Sequence, residues 1–267
     1  MTELVTSPGW TLKPAPPLPR YYSRLAPFRE VFTRGRPILA YHHVGPRPSR
    51  PRLKGLYLHP KLFAAQMAEL AGAGFLAPPL DSIFTRSADA NPSVFLTFDD
   101  GFRDVFEHAL PVLTQHHFFG IQFLVSDLLG KTNLWQQRVG DVSQPLMDEV
   151  RVREWLAAGQ QIGSHTRTHP WLTRLSEDAA REEIVASKKA LEDKFGFPVE
   201  HFCYPYGDWD QRVSDLVAEA GYRSACTTAA GINPPGASPF ALKRFTARYP
   251  TRNLKAMWAF LRDLSKS

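Results

Sequence analysis

Three short stretches hold side chains whose types and spacing suit chemistry. The first, Thr97-Phe98-Asp99-Asp100-Gly101, sets two carboxylates side by side at the end of an apolar run. Ionised neighbours repel unless a cation or a proton is shared between them. Inside a strand Asp99 and Asp100 point to opposite faces, but at a strand end, with Gly101 free to turn sharply, both can reach one point. Asp-Asp-Gly is also an ordinary turn sequence. The second, Gly163-Ser164-His165-Thr166-Arg167-Thr168-His169-Pro170, spaces two imidazoles four residues apart. That spacing serves a metal from one helical turn, yet Pro170 disfavours helical geometry at His169, so a loop following a strand is expected. The third, Phe202-Cys203-Tyr204-Pro205-Tyr206-Gly207, is a rigid aromatic turn that offers a backbone N–H and a ring.

The elements that position these stretches follow from hydrophobic periodicity. Buried strands are expected at 38–42, 94–98, 121–125, around Ile162 and at 201–204. Helices are expected at 61–73, from the end of the first motif to His116, at 151–158, 177–195, 211–220 and 254–264. The clearest is 177–195, with Ser176 as N-cap, Gly196 at C′, and Ala180, Ile184, Leu191 and Phe195 in one stripe. Strands alternating with helices predict an α/β fold with a parallel sheet, open or closed into a barrel. All three motifs then fall at carboxyl ends of strands, where α/β folds assemble their sites. One Asp and two His give three ligands with open positions for water, the pattern of a catalytic zinc-type centre. The remaining carboxylate is the natural general base. Residues 1–34, proline-rich at first, are expected to be an extension lying over one main domain at 35–267.

Composition narrows the function classes. Of 267 residues, 43% are hydrophobic and 22% charged, which excludes wholesale disorder. Lys plus Arg is 32 against 26 Asp plus Glu, for a net charge of +6. The basic residues are scattered rather than striped, so only net charge speaks for nucleic acid, and no nucleic-acid partner is expected. The apolar stretches are too short to span a bilayer. Without a positive start followed by an apolar run, the N-terminal sequence predicts a cytoplasmic protein, with Cys203 and Cys226 as free thiols. The basic, proline-rich loop at 46–54 follows the first strand and so belongs at the rim of the site. The apolar side of 254–264 (Leu254, Met257, Trp258, Leu261, Leu264) is expected to pack on the barrel.

In these motifs the chain resembles the polysaccharide deacetylase family, also called the NodB-homology or carbohydrate esterase family 4 domain. TFDDG at 97–101, SHTRTH at 164–169 and FCYPYG at 202–207 carry the resemblance, with ILAYHHV at 38–44 and LKRF at 242–245 adding to it. The Tyr-Pro-Tyr-Gly form looks most like the branch of biofilm and exopolysaccharide N-deacetylases. The resemblance implies an irregular (β/α) barrel of about seven strands or fewer. It also implies hydrolysis of N-acetyl groups on an N-acetylhexosamine unit of a polysaccharide or oligosaccharide. By the same resemblance Asp99 is the general base, while Asp100, His165 and His169 bind a divalent metal, zinc first with cobalt or nickel as alternatives. Tyr206 matches the tyrosine whose backbone N–H helps hold the oxyanion.

Two positions depart from the family pattern. The arginine that usually orients the catalytic aspartate is replaced by Cys203, and Arg244 is expected to supply that charge from a late strand. The Leu-x-His that usually provides a general acid reads Leu242-Lys243-Arg244, so no acid is assigned. Two other readings stay open: a weakly active or inactive carbohydrate-binding protein on the same fold, and a metal-dependent hydrolase of a different, small amide.

Overall fold

The computed structural model describes residues 32, 35–49, 51, 53–85, 92–137 and 142–247. Among the described residues nine strands run in chain order as β1 Ile38–Tyr41, β2 His43–Val44, β3 Tyr57–Leu58, β4 Phe95–Phe98, β5 Gly120–Leu124, β6 Gln161–Ser164, β7 His201–Cys203, β8 Ser224–Cys226 and β9 Phe245–Thr246. Between them lie the helices α1 Pro60–Gly72, α2 Arg103–His108, α3 Leu110–Gln115, α4 Leu134–Gln137, α5 Glu149–Ala157, α6 Glu177–Phe195 and α7 Gln211–Glu219. Seven strands form one sheet in the order β8-β7-β6-β5-β4-β1-β9. Its pairings are all parallel. The sheet curls into a barrel because one segment reaches both edges: Leu242 bridges Cys226 of β8, and Phe245 pairs with Leu39 of β1. Strands β2 and β3 make a separate small sheet at the rim.

Strands covered on both faces read as continuous apolar runs, and β1, β4 and β5 are buried at every position. Alternate residues serve two cores. Ile38, Phe95, Ile121, Phe123, Cys203, Cys226 and Leu242 pack together in one cluster, with Leu80 and Ile83. Leu39, Tyr41, Leu96, Phe98 and Leu124 belong to the larger cluster, which takes in Ala180, Ile184 and Leu191 of α6. Each large side chain buried in this way contributes about 1.5–3 kcal/mol. Helix α6 has the predicted ends: the Ser176 hydroxyl accepts from Ala179 N, and Gly196 takes the left-handed conformation at φ 82°.

Two predicted elements are divided. The first strand stops at Tyr41, and His42 sits at the break before β2 rather than inside a strand. The helix expected to run on to His116 is two short ones, α2 and α3, meeting at Ala109. Pro111 is the cause, since it has no N–H for the turn before it and its ring crowds the carbonyl four residues back. The 254–264 segment and nearly all of 1–34 lie outside the described residues. Phe32 is described and packs its ring against Phe75 and Phe245. Among the described residues no helix is long and apolar enough to cross a membrane.

Candidate metal and catalytic centre

The three motifs converge at the carboxyl ends of β4, β6 and β7. Asp100, His165 and His169 bring one carboxylate oxygen and two ring nitrogens together. His165 Nε2 is 3.3 Å and His169 Nε2 3.2 Å from Asp100 Oδ1. All three residues are buried, at 3%, 2% and 6% exposure. Asp100 Oδ1 nonetheless has no aligned hydrogen-bond partner. A buried carboxylate oxygen left unbonded costs free energy unless something else satisfies it. Burial works against the charge of Asp100, but the two imidazoles outweigh it and hold the carboxyl well below its usual range. Burial first, helped by the charge of His165, sets His169 below the ordinary imidazole value against the pull of Asp100, towards the neutral form a metal requires. His165 is opposed by burial too, yet Cys203 and Asp100 push it well above that value, so an ion there would displace a proton. A buried carboxylate and two buried imidazoles fit a divalent ion of the zinc type.

The backbone is bent to achieve this convergence. Among the described residues five that are not glycine adopt positive φ, and four belong to the motifs: Asp100 (75°), Thr166 (68°), His169 (66°) and Tyr206 (61°). Such conformations cost on the order of 1–3 kcal/mol each and persist only where the surroundings enforce them. The enforcing contacts are present. With its amide oxygen facing the turn, Gln122 of β5 accepts from Gly101 N (3.0 Å) and Phe102 N (3.1 Å). Glu183 of α6 accepts from the backbone N–H groups of Arg167 (2.9 Å) and Thr168 (3.0 Å). The Thr166 hydroxyl accepts from His169 N at 3.0 Å. Gly163 lets the loop start where it does, because a Cβ there would lie 2.6 Å from the Phe123 ring and 2.8 Å from the His201 carbonyl oxygen.

Asp99 is held differently from its neighbour. Arg244 grips it with two bonds, Nη1 to Oδ1 at 2.7 Å and Nη2 to Oδ2 at 2.8 Å. Every remaining Arg244 N–H is also used. Nε donates to the Thr227 carbonyl (2.9 Å), Nη1 to the Thr97 hydroxyl (3.0 Å) and Nη2 to Cys203 Sγ (3.2 Å). Asp99 and Arg244 are both 2% exposed. Burial disfavours the Asp99 carboxylate, but the guanidinium overrides it and brings the carboxyl below its ordinary value. The resulting carboxylate is ionised and fixed in orientation by Arg244.

Burial pushes the Cys203 thiol up to about 11 and the Cys226 thiol up to about 12. The two are register partners on β7 and β8, unbonded to each other and buried. A thiol titration should therefore count almost none in the native protein at neutral pH and two after denaturation without reductant. A count near zero in the denatured sample would contradict free thiols.

Tyr206 stands at the rim, 39% exposed, its ring stacked on Trp171 (4.1 Å) and set edgewise to His169 (4.5 Å). In the basic loop, Arg50 and Arg52 lie outside the described residues. Two neighbours of the centre went unassigned in the sequence. His42 places Nε2 3.7 Å from Asp99 Oδ2. Its signal was its place directly after an apolar strand, the same logic that picked out the three motifs. Trp135 stacks on His169 with ring centroids 4.3 Å apart and planes at 16°. It arrives from a stretch between β5 and β6 whose fold left no periodic trace.

The polysaccharide deacetylase family profile matches residues 86–225. YxkH of Bacillus subtilis, assigned to the polysaccharide deacetylases, is 27% identical over 213 residues, covering 78% of this chain and 70% of that protein. The chitooligosaccharide deacetylase of Sinorhizobium fredii is 30% identical over 144 residues, covering 51% of this chain and 57% of its own. Among solved structures, the Streptococcus pyogenes deacetylase PplD superposes with a TM-score of 0.70 at 21% identity, covering 84% of this chain and 98% of that one. The chain belongs to the polysaccharide deacetylase family, enzymes that hydrolyse N-acetyl amide bonds of carbohydrates.

Proposed function

We propose that this chain is a metal-dependent deacetylase that removes acetyl groups from N-acetylhexosamine units of a polysaccharide or oligosaccharide. The observation that carries this reading is the division between adjacent carboxylates. Asp99 is saturated by Arg244, while Asp100 Oδ1 faces two imidazole nitrogens with no hydrogen bond of its own. Asp100, His165 and His169 would hold the ion. Zinc suits two imidazoles and a carboxylate, with cobalt or nickel as alternatives. A divalent ion bound there supplies Lewis acidity, polarising the amide carbonyl and acidifying a water.

The chain's own residues perform the remaining steps. Asp99 takes the proton of the attacking water, and Arg244 keeps it ionised and aimed. The backbone N–H of Tyr206 is assigned to the developing oxyanion, a type of donor worth about 2.7–4 kcal/mol elsewhere. His42, with Nε2 3.7 Å from Asp99 Oδ2, fills the role for which the sequence offered no residue: it receives the proton that Asp99 takes from the water and passes it to the departing amine. Its burial keeps the imidazole below its usual value, against the pull of Asp99.

Acetate release tests the reading. Purified protein should liberate acetate from N-acetylhexosamine oligosaccharides, lose the activity on chelation and regain it with added zinc. Release from small amides alone would move the substrate to a different amide class. Sugar binding without acetate release would make the domain a binding protein.

A further inference from the structure

The two imidazoles of the proposed centre are held by unlike means. His165 Nδ1 lies 2.6 Å from the Cys203 carbonyl oxygen, a hydrogen bond that fixes the ring. His169 Nδ1 is buried and has no hydrogen-bond partner. Histidines that ligate metals almost always have the second ring nitrogen tied, and such ties set the ring's orientation. The backbone of His169 is anchored through Thr166, but that anchor leaves the ring free to turn about its own bonds. Aromatic surfaces occupy the place of the missing bond. The Trp135 indole covers one face at 4.3 Å, nearly parallel, and Tyr206 meets the ring at 76°.

Trp135 is itself held firmly. It is 8% exposed and lies on α4, beside Asn133. The Asn133 side chain donates to Gln136 Oε1 (2.5 Å) and accepts from Gln144 N (2.6 Å). The excursion between β5 and α5 therefore presents an indole face to a ring whose Nδ1 makes no hydrogen bond, while Tyr206 and His165 meet that ring only edgewise.

We infer that Trp135 is a positioning residue for His169, setting the imidazole plane by stacking so that Nε2 faces Asp100 Oδ1. This rests on reading Asp100, His165 and His169 as a metal site. Stacking of two flat rings is favourable beyond burial alone and has a preferred geometry. A branched aliphatic side chain fills similar space but does not define a plane.

The test uses metal-free full-length protein, titrated with zinc against a chromogenic chelator and with cobalt(II) followed by its visible spectrum. Wild type should bind one ion, and His169→Ala should weaken binding. Trp135→Leu should lower affinity by about 10–100-fold, the usual effect of losing an orienting neighbour, and should alter the cobalt spectrum. Trp135→Phe, which restores a flat ring, should recover most of both. Thermal melting of each metal-free variant checks folding, and Trp135→Met replaces the Leu variant if that one does not fold. Equal affinity and an unchanged spectrum in the Leu or Met variant would overturn the inference while leaving the metal site standing. A wild type that binds no ion would instead remove the metal reading itself.

Discussion

Replacing His165 or His169 with Ala should strip the protein of metal and of acetate release together, whereas Asp99→Asn should keep the metal and lose turnover. Three donor atoms from the chain meet at one point, so removing any one leaves two, too few for a stable zinc-type centre. Asp99 is not one of the three, because both its oxygens are engaged by Arg244. Its loss removes a general base, an effect of about 10²–10⁴-fold on rate. The Asn variant also leaves the Arg244 cation buried without a counter-charge, an imbalance that costs about 3–5 kcal/mol. Metal content should therefore be measured on protein whose melting curve shows it folded at the assay temperature. Similar metal loss in Asp99→Asn and Asp100→Asn would overturn the division of labour between the two carboxylates.

The barrel was largely legible because its strands are short, apolar and followed by strong local punctuation. Ser176 and Gly196 bracket α6 with capping chemistry that needs no tertiary help, and both ends fall where that chemistry placed them. Pro111 was equally visible, yet its effect was missed because an apolar pattern runs through it. The break after Tyr41 left no such mark: His42 and His43 diverge in role only through tertiary contacts. His43 is buried with its ring stacked on Tyr57 (4.1 Å) and Phe102 (3.6 Å) and bonded to Asp104, while His42 turns towards Asp99. The short strands on either side of that break do not encode which histidine faces which way. Trp135 was illegible for a related reason. It sits in a stretch without helical or strand period, and its placement depends on amide hydrogen bonds made across eleven residues. The motif residues could be grouped in advance because a parallel sheet forces its carboxyl strand ends together. Which atom bonds which partner depends on loop conformations such as the positive φ of Asp100, His169 and Tyr206, which residue type alone does not favour.

Arg244→Lys should lower turnover substantially while the protein keeps its metal, and Arg244→Met should be worse. Arg244 uses all five of its N–H donors: two on Asp99, and one each on Thr97, Thr227 and Cys203. A lysine ammonium has three donors at a single point and cannot grip both carboxylate oxygens while satisfying three other acceptors. The small side chain at Cys203 matters here, since its sulfur lies against both Asp99 and Arg244 and leaves room for a guanidinium entering from beside β9. In Arg244→Met the cation is gone, and burial, now unopposed, should raise the Asp99 carboxyl instead of lowering it. The sign of the pH dependence then reverses. In the wild type the pair stabilises the fold above the unfolded carboxylate value, and that contribution fades as pH falls through the lower folded value. In the Met variant Asp99 folds more readily as the neutral acid, so stability should decline as pH rises past the unfolded value. The acid limb of the rate profile should likewise shift to higher pH, because the base must be ionised to act. Melting temperature and initial rate, each followed from pH 4 to 9 for the three proteins, would read both effects, with metal content as the control. Arg244→Met with wild-type rates across that range would separate Arg244 from catalysis and leave the Asp99 contact a purely structural ion pair.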